Sequence, residues 1–178
     1  MKILLINGLN YNESLNNPII KKLNEYIKDK NSTSTLKNLY ELSLKPCNSC
    51  DYCQNKNPGI CVIKDGQNEL LHQYISSDIT IIITPIMFGS CNSTTKTFLD
   101  RTQPLYLPYQ KLSSNIMQNR YDKYPDIVFV GIIDDFTSNK SIENFKNSML
   151  NSTLALHSKK RLVKIVKTDC DIKNFDFL

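Results

Sequence analysis

The sequence predicts an α/β fold in which helices cover both faces of an open, parallel, doubly wound sheet. Strand-like and helix-like segments alternate five times along the 178 residues, without internal repeats or linkers. Two of the strand-like segments are apolar throughout, as strands covered on both faces are. The length and the 40% apolar content suit one domain with its own core. We therefore expect a single domain over residues 1–178.

The first half of the chain predicts two strands and two helices. Residues 2–7 form a continuous apolar run that ends at Asn7-Gly8, which indicates a central strand entering a loop. Asn17-Pro18 opens a helix to about residue 28, because apolar side chains recur every three or four positions and proline is tolerated in the first turn. A weaker alternation predicts a second strand over residues 35–42, and a second helix follows Asp65-Gly66.

The second half continues the alternation around an irregular insertion. Residues 78–85 are β-branched and apolar and predict the strongest strand, whose hydrogen-bond ladder Pro85 is expected to end. A helix runs from about residue 92 to residue 101. Residues 103–125 contain three prolines and four tyrosines without a clear period, and we interpret them as an excursion outside the core. The remaining prediction is a strand over 126–133, a helix over 141–157, a strand over 161–167 and, after residue 168, a tail that forms a loose edge or a contact arm.

Composition restricts the class of protein. The net charge of +5 is too small to indicate a nucleic-acid partner, and the basic run at residues 159–161 is typical of a guarded sheet edge. No stretch approaches the ~18 apolar residues of a membrane span. The N-terminal apolar run is too short for a signal peptide. We therefore expect a cytoplasmic protein with no membrane partner, in which free thiols and metal sites are commoner than disulfides.

Four of the six cysteines lie within fifteen residues, and they form the most distinctive motif of the chain. The loop at residues 46–61 contains Cys47, Cys50, Cys53 and Cys61, the first three at a spacing of three residues. Converging thiolates are soft ligands that suit an iron–sulfur cluster or a structural metal. The same steps also serve zinc, and a cluster of thiols can form disulfides. The residues alone leave these alternatives open.

A ligand site is expected where the parallel strands end. In doubly wound sheets ligands bind at the carboxyl ends of the strands, at the point where the strand order reverses. The loops concerned are residues 8–15, 85–91 and 134–139. Outside these loops, we interpret Lys96 and Asp100-Arg101 as a local ion pair, and His72 and His157 as surface or structural residues. The tyrosines of the insertion are interpreted as interface residues, and Cys91 as a small buried residue.

Several of these motifs, in this order, resemble a known family. Asn7-Gly8, the cysteine loop, Ile63-Lys64-Asp65, the run from Thr84 to Gly89 and the run from Lys96 to Arg101 are similar to the NADPH-dependent FMN reductase-like branch of the flavodoxin superfamily. Within that branch the cysteine motif is most similar to that of the iron–sulfur flavoproteins. The resemblance covers roughly residues 1–101.

The resemblance implies a flavodoxin-like, three-layer fold with a five-stranded parallel sheet. It also implies FMN as cofactor, NAD(P)H as electron donor and a [4Fe–4S] cluster on Cys47, Cys50, Cys53 and Cys61. Such a protein exchanges electrons with a small molecule or a protein redox partner and forms dimers or tetramers. By position, the residues implied to contact FMN come from two loops: Gly8, Asn10, Tyr11, Ser14, Asn16, Pro85, Ile86, Met87, Phe88 and Gly89.

The second of the two FMN loops agrees with the family pattern better than the first. The second loop keeps its shape, with Met87 where an aromatic residue commonly lies against the flavin. The first loop keeps Gly8 and Ser14 but supplies no cation, and Glu13 adds a negative charge beside the phosphate. We therefore expect FMN to bind more weakly than is usual in the family, or not at all.

Three hypotheses for function follow. The first is an FMN-dependent oxidoreductase or electron-transfer flavoprotein with a [4Fe–4S] cluster on the cysteine loop. The second is a flavodoxin-like domain with an altered FMN site that acts as a structural or interaction module. The third is a plain NAD(P)H-dependent FMN reductase with zinc or free thiols in place of the cluster.

Overall fold

The computed structural model describes residues 1–14, 16–111 and 116–174. Its main sheet contains five parallel strands in the order β2-β1-β3-β7-β8, and the short strand β4 pairs antiparallel with the end of β3. The strands are β1 (Lys2–Asn7), β2 (Thr33–Asn38), β3 (Ile79–Met87), β4 (Ser90–Cys91), β5 (Tyr106–Gln110), β6 (Met117–Asn119), β7 (Asp126–Ile132) and β8 (Arg161–Val166).

Six α-helices and four short 3-10 segments connect the strands. The α-helices are α1 (Tyr11–Ser14), α2 (Pro18–Asp29), α3 (Tyr52–Asn55), α4 (Gln67–Ser76), α5 (Ser93–Asp100) and α6 (Asn139–Ser152). The 3-10 segments are Leu39–Leu42, Gln103–Leu105, Leu154–Leu156 and Asp169–Asn174. The described chain therefore has the predicted alternation, with short elements added in its loops.

The strand order reverses between β1 and β3. The chain moves from β1 outward to β2 and then returns to the other side of β1, where Asn7 lies opposite both Asn38 and Ile83. From there the strands continue outward in one direction through β7 and β8. This order confirms the predicted flavodoxin-like, doubly wound sheet and places its switch point at the carboxyl end of β1.

Two apolar cores lie on opposite faces of the sheet. Successive side chains of a strand point to opposite faces, so Leu4 belongs to one core and Leu5 to the other. Helices α4, α5 and α6 contribute to the Leu4 core, whereas α2 covers the Leu5 core. The continuous apolar runs predicted these two covered faces.

Several predicted boundaries and two predicted irregular segments are wrong. The second strand ends at Asn38 because Leu39 turns into the core. Helix α6 ends at Ser152, where the hydroxyl of Thr153 donates to the carbonyl of Met149. The insertion contains the antiparallel pair of β5 and β6. The tail packs against α2, with Ile172 fully buried, because an apolar side chain there completes the core.

No helix in the described part of the chain combines the length and the apolar character that a membrane crossing requires.

Candidate functional site

Asn7, at the end of β1, organises the first loop. Its side chain is fully buried. Its amide oxygen accepts the Leu9 N–H at 3.1 Å, and its amide nitrogen donates to Ser14 Oγ at 2.6 Å and to Asn38 Oδ1 at 3.0 Å. A buried amide with these partners holds the loop in one conformation. Ser14 is thus used inside the protein, as a partner of Asn7.

Gly8 forms the floor of the same loop. Its N–H donates to the Ile83 carbonyl at 2.8 Å, and its own carbonyl accepts Asn92 Nδ2 at 2.6 Å. A Cβ at this position would overlap the hydroxyl of Thr95 and lie 2.9 Å from the Ile83 carbonyl oxygen. Glycine therefore allows β1, β3 and the start of α5 to approach closely.

The remainder of the first loop is a self-capped turn. The Asn10 side chain accepts the Glu13 N–H at 3.1 Å, and the Glu13 carboxylate accepts the Asn10 N–H at 3.4 Å. This reciprocal pair is a capping box at the start of α1. Tyr11 is exposed and contacts the Tyr40 ring edge-on. Asn16 adopts a left-handed conformation with φ of 57° and accepts Lys21 Nζ at 3.1 Å.

The second loop presents apolar side chains at the end of β3. The hydrogen-bond ladder of β3 does not end at Pro85 as predicted. Pro85 still lies opposite Ile132 of β7, and the next two residues, Ile86 and Met87, pair with β4. Phe88, with φ of 50°, is 100% exposed. Gly89 has φ of 79° and packs against Asn144, where a Cβ would lie 2.9 Å from the Asn144 Cβ. This tight turn holds Phe88 away from the protein surface.

The third loop uses its two carboxylates within the fold. Asp134 Oδ1 accepts the Thr137 hydroxyl at 2.7 Å and the Phe136 N–H at 3.0 Å. These bonds, first that from Thr137, lower the pKa of Asp134. Asp135 forms an ion pair with Lys167. Phe136 is 94% exposed beside the loop, so an aromatic side chain is again presented to solvent at this edge.

The three loops enclose a cleft of about 280 Å³ at the carboxyl ends of β1, β3 and β7. Glu13 and Asp134 are its charged lining residues, and no described lysine or arginine lines it. Three predicted residues line it, namely Pro85, Ile86 and Met87. Sequence reasoning missed other lining residues: Leu9 follows the first predicted strand, Asn17 lies where the first predicted helix begins, and Ile132 and Ile133 end the strand predicted over residues 126–133.

The cysteine loop places four free thiols on one side of the molecule. Cys47 and Cys50 are exposed, and Cys53 and Cys61 are half-buried. Burial, followed by the neighbouring thiol of Cys61, raises the pKa of Cys53. Within residues 1–14, 16–111 and 116–174, no three histidine, cysteine or acidic side chains are grouped closely enough to hold a metal ion. The four thiols are nevertheless the donor set that an iron–sulfur cluster or zinc takes.

Arg101 joins the two ends of the cysteine loop from inside the protein. Its side chain is 1% exposed and forms an ion pair with Asp65, which is 6% exposed. Its guanidinium also donates to the Lys45 carbonyl at 2.9 Å and to Cys61 Sγ at 3.3 Å. Sequence reasoning missed this role, since it assigned Arg101 to a local ion pair. The local pair is confirmed only between Lys96 and Asp100.

The insertion braces the middle of the cysteine loop. Gln54, in α3, donates to the Gln103 carbonyl at 2.6 Å, and Arg120 donates to the Tyr106 carbonyl at 3.1 Å. Tyr124 is buried, and its hydroxyl donates to the Leu105 carbonyl at 2.5 Å. The interface interpretation is therefore wrong for Tyr124, which packs within its own chain because a buried phenol needs a hydrogen-bond partner.

Other candidate side chains lie outside these two sites. Cys91 is buried, as predicted, and burial raises the pKa of its thiol. His72 is exposed on α4, and half-buried His157 lies next to the Tyr124 ring. Neither histidine contributes to the cleft or the cysteine loop.

The sheet order and the cleft at its switch point define a flavodoxin-like protein. The chain belongs to the NADPH-dependent FMN reductase family, whose sequence model matches residues 1–120. A curated relative, an iron–sulfur flavoprotein of Methanocaldococcus jannaschii, is 27% identical over 110 residues, or 62% of this chain. The match spans 56% of that relative's length.

Solved structures show the same fold at low sequence identity. An NAD(P)H:quinone oxidoreductase from Methanothermobacter marburgensis has a TM-score of 0.69 and 11% identity, covering 97% of this chain and 90% of its own. An FMN-dependent NADH-azoreductase from Bacillus anthracis in complex with FMN has a TM-score of 0.64 and 14% identity, with 97% and 92% coverage. These likenesses support the fold assignment.

Proposed function

We propose that this protein is an NAD(P)H-dependent flavin oxidoreductase that uses FMN at the carboxyl edge of its sheet. The observation that carries the proposal is the cleft at the switch point, in a chain of the NADPH-dependent FMN reductase family. Two of the structural neighbours are a quinone oxidoreductase and an azoreductase, which supports quinones or azo compounds as acceptors.

The ring system of a flavin fits the lining of this cleft. Pro85, Ile86 and Met87 supply an apolar wall, and the unpaired aromatic side chains of Phe88 and Phe136 are available to cover a planar ligand. When bound, FMN supplies the ability to take two electrons from a nicotinamide and to pass them to an acceptor. The chain's part is to hold the ring, restrict water and leave one face open to donor and acceptor.

We further propose that Cys47, Cys50, Cys53 and Cys61 hold a [4Fe–4S] cluster, which would exchange single electrons with a partner. Three observations support this: the four thiols are free, the other three all contribute to the raised pKa of Cys53, and the curated relative is named an iron–sulfur flavoprotein. Arg101 fixes Cys61 at the closing end of the loop. The outer thiols must move inward to complete a four-sulfur site, and their exposure permits this movement.

The flavin proposal predicts coupled binding and turnover. Protein purified without added flavin should quench FMN fluorescence in a saturable titration and then oxidise NADH or NADPH when a quinone is present. The measurement is nicotinamide absorbance with and without protein, flavin and quinone, each omitted in turn. Absence of binding by any flavin, together with absence of turnover, would overturn the proposed function.

The cluster proposal predicts iron on one specific set of thiols. Anaerobically purified protein should contain about four irons per chain, the content of a cube held by four thiolates. Cys50→Ser should remove most of that iron, because one of four ligands is lost. Cys170→Ser is the matched control, since Cys170 is an exposed thiol outside the loop, and it should leave the iron content unchanged. Equal iron content in both variants would contradict the assignment.

A specific observation favours each alternative function. The lack of a ready-made metal group among the described residues favours a reductase with free thiols, which metal-free protein with full flavin turnover would establish, whereas stoichiometric zinc would establish the zinc form. The self-capped first loop favours an interaction module, which complete loss of flavin binding would establish.

Assembly and location are part of the proposal. We propose a cytoplasmic homo-oligomer, in which a second copy covers other exposed apolar side chains such as Tyr109, Ile60 and Val62. Light scattering on the eluting protein tests this, and a monomeric mass at micromolar concentration would contradict it.

A further inference from the structure

Most of the backbone N–H groups that the structure describes in the first loop already have acceptors within the protein. In flavodoxin-like folds an anionic group can be held by free N–H groups where a loop enters a helix. Eight of the described N–H groups in this part of the chain have such acceptors, and those of Tyr11, Asn12 and Asn16 are not among them: Gly8 donates to Ile83 O, Leu9 to Asn7 Oδ1, Asn10 to Glu13 Oε2, Glu13 to Asn10 Oδ1, Ser14 to Asn10 O, Asn17 to Ser14 O, and Ile19 and Ile20 to Asn17 Oδ1.

These acceptors reduce the number of N–H groups that a phosphate can bind. Pro18 has no N–H, and the first turn of α2 is capped by the side chain of Asn17. Next to it, the carboxylate of Glu13 accepts the Asn10 N–H, so a negative group of this chain already occupies a position that an anion would need. The phosphate end of FMN would therefore meet a carboxylate in this loop.

The charges that line the cleft also disfavour the binding of a phosphate. Its charged residues are Glu13 and Asp134, and the described lysines and arginines lie elsewhere. Two basic side chains that contact residues of these loops are engaged: Lys21 donates to Asn16, and Lys167 pairs with Asp135. A phosphate monoester carries almost two negative charges at neutral pH. It would face two carboxylates without a compensating cation, whereas the isoalloxazine ring is neutral.

We propose that this site selects a flavin by its ring and discriminates against its phosphate, so that phosphate-free riboflavin binds at least as tightly as FMN. Glu13 is the residue that sets this preference. The proposal rests on the proposed function, because it assumes that the cleft takes a flavin ring. It deepens that function by naming riboflavin, a neutral flavin, as the better occupant.

The test compares two flavins on the full-length protein. Dissociation constants for riboflavin and FMN are measured by fluorescence quenching for the wild type, Glu13→Gln and Glu25→Gln. Glutamine at position 13 keeps an oxygen that can accept the Asn10 N–H, so the loop keeps its cap while the charge is removed. Glu25 is an exposed carboxylate on α2, paired with Lys22, and its variant changes the net charge equally. Far-UV circular dichroism verifies that each variant is folded.

In the wild type, we expect the riboflavin dissociation constant to be equal to or lower than that of FMN. Glu13→Gln should tighten FMN binding about tenfold, the order expected when a repulsion between nearby charges is removed in water-like surroundings. It should change riboflavin binding less than about twofold, since the ring lacks a charge. Glu25→Gln should change neither constant, and added salt should strengthen FMN binding more in the wild type than in Glu13→Gln, where only the Asp134 carboxylate remains in the cleft.

The contrary outcomes separate the inference from the proposed function. If the wild type binds FMN far more tightly than riboflavin, or if Glu13→Gln affects both flavins alike, the inference is wrong and the proposed function stands. If neither flavin binds to the wild type or to either variant, both are wrong.

Discussion

Replacing Arg101 by methionine is expected to lower the free energy of unfolding by about 3–5 kcal/mol, the usual cost of removing one partner from a buried ion pair. The substitution leaves the Asp65 carboxylate, 6% exposed, without its guanidinium. It also leaves the Lys45 carbonyl without the N–H donor that joins the two ends of the cysteine loop. Urea denaturation followed by circular dichroism measures the loss.

Lys96→Met provides the matched control on the same helix. Lys96 and Asp100 form an ion pair whose side chains are about half exposed. Removing an exposed pair of this kind changes stability by about 0.5 kcal/mol or less. Comparable losses in the two variants would contradict the role assigned to Arg101, since burial would then make no difference.

The ion pair between Arg101 and Asp65 also makes the stability of the fold depend on acidic pH. Burial alone raises the pKa of Asp65, but hydrogen bonds from Arg101 and from the N–H groups of Lys45 and Gln67 outweigh it and hold the pKa below the ordinary value of 3.8. A carboxyl group with a lowered pKa stabilises the folded state above its ordinary pKa, and that contribution is lost as the pH falls further. In Arg101→Met, this acid-dependent decline below pH ~4 should be weaker.

Gly8→Ala is expected to be the second most damaging substitution, with a loss of about 3 kcal/mol through overpacking. A methyl group at this position overlaps the Thr95 hydroxyl and lies 2.9 Å from the Ile83 carbonyl oxygen. The loop cannot simply move away, because hydrogen bonds to Ile83 and Asn92 hold Gly8 from both sides. Denaturation by urea measures the change, and flavin titration should show weaker binding.

Thr95→Ala tests the proposed cause. The Thr95 hydroxyl is buried and has no hydrogen-bond partner among the described residues, so removing it should lower the stability only slightly. Combined with Gly8→Ala, it should restore part of the lost stability, while the close approach to Ile83 keeps the recovery incomplete. A double variant no more stable than Gly8→Ala would locate the strain elsewhere.

Periodicity and local motifs predicted much of the fold correctly. The strand over residues 2–7 and the helix at Pro18–Asp29 follow from apolar spacing and from the Asn-Pro start, all of which are local. Their boundaries are less reliable where a single side chain decides them. Leu39 ends β2 by entering the core, and the short helix α3 and the pair of β5 and β6 carry no strong periodic signal.

The sequence by itself determined the order of strands and helices, the spacing of the four cysteines and the family resemblance, because each is a local property of the chain. Only the tertiary structure decided that Arg101 pairs with Asp65, 36 residues away, and that Gly8 lies against Thr95. It also decided that Glu13 closes the first loop upon itself. The physical reason is that partners of buried charges and N–H groups are chosen by packing, which brings together residues that no local pattern connects.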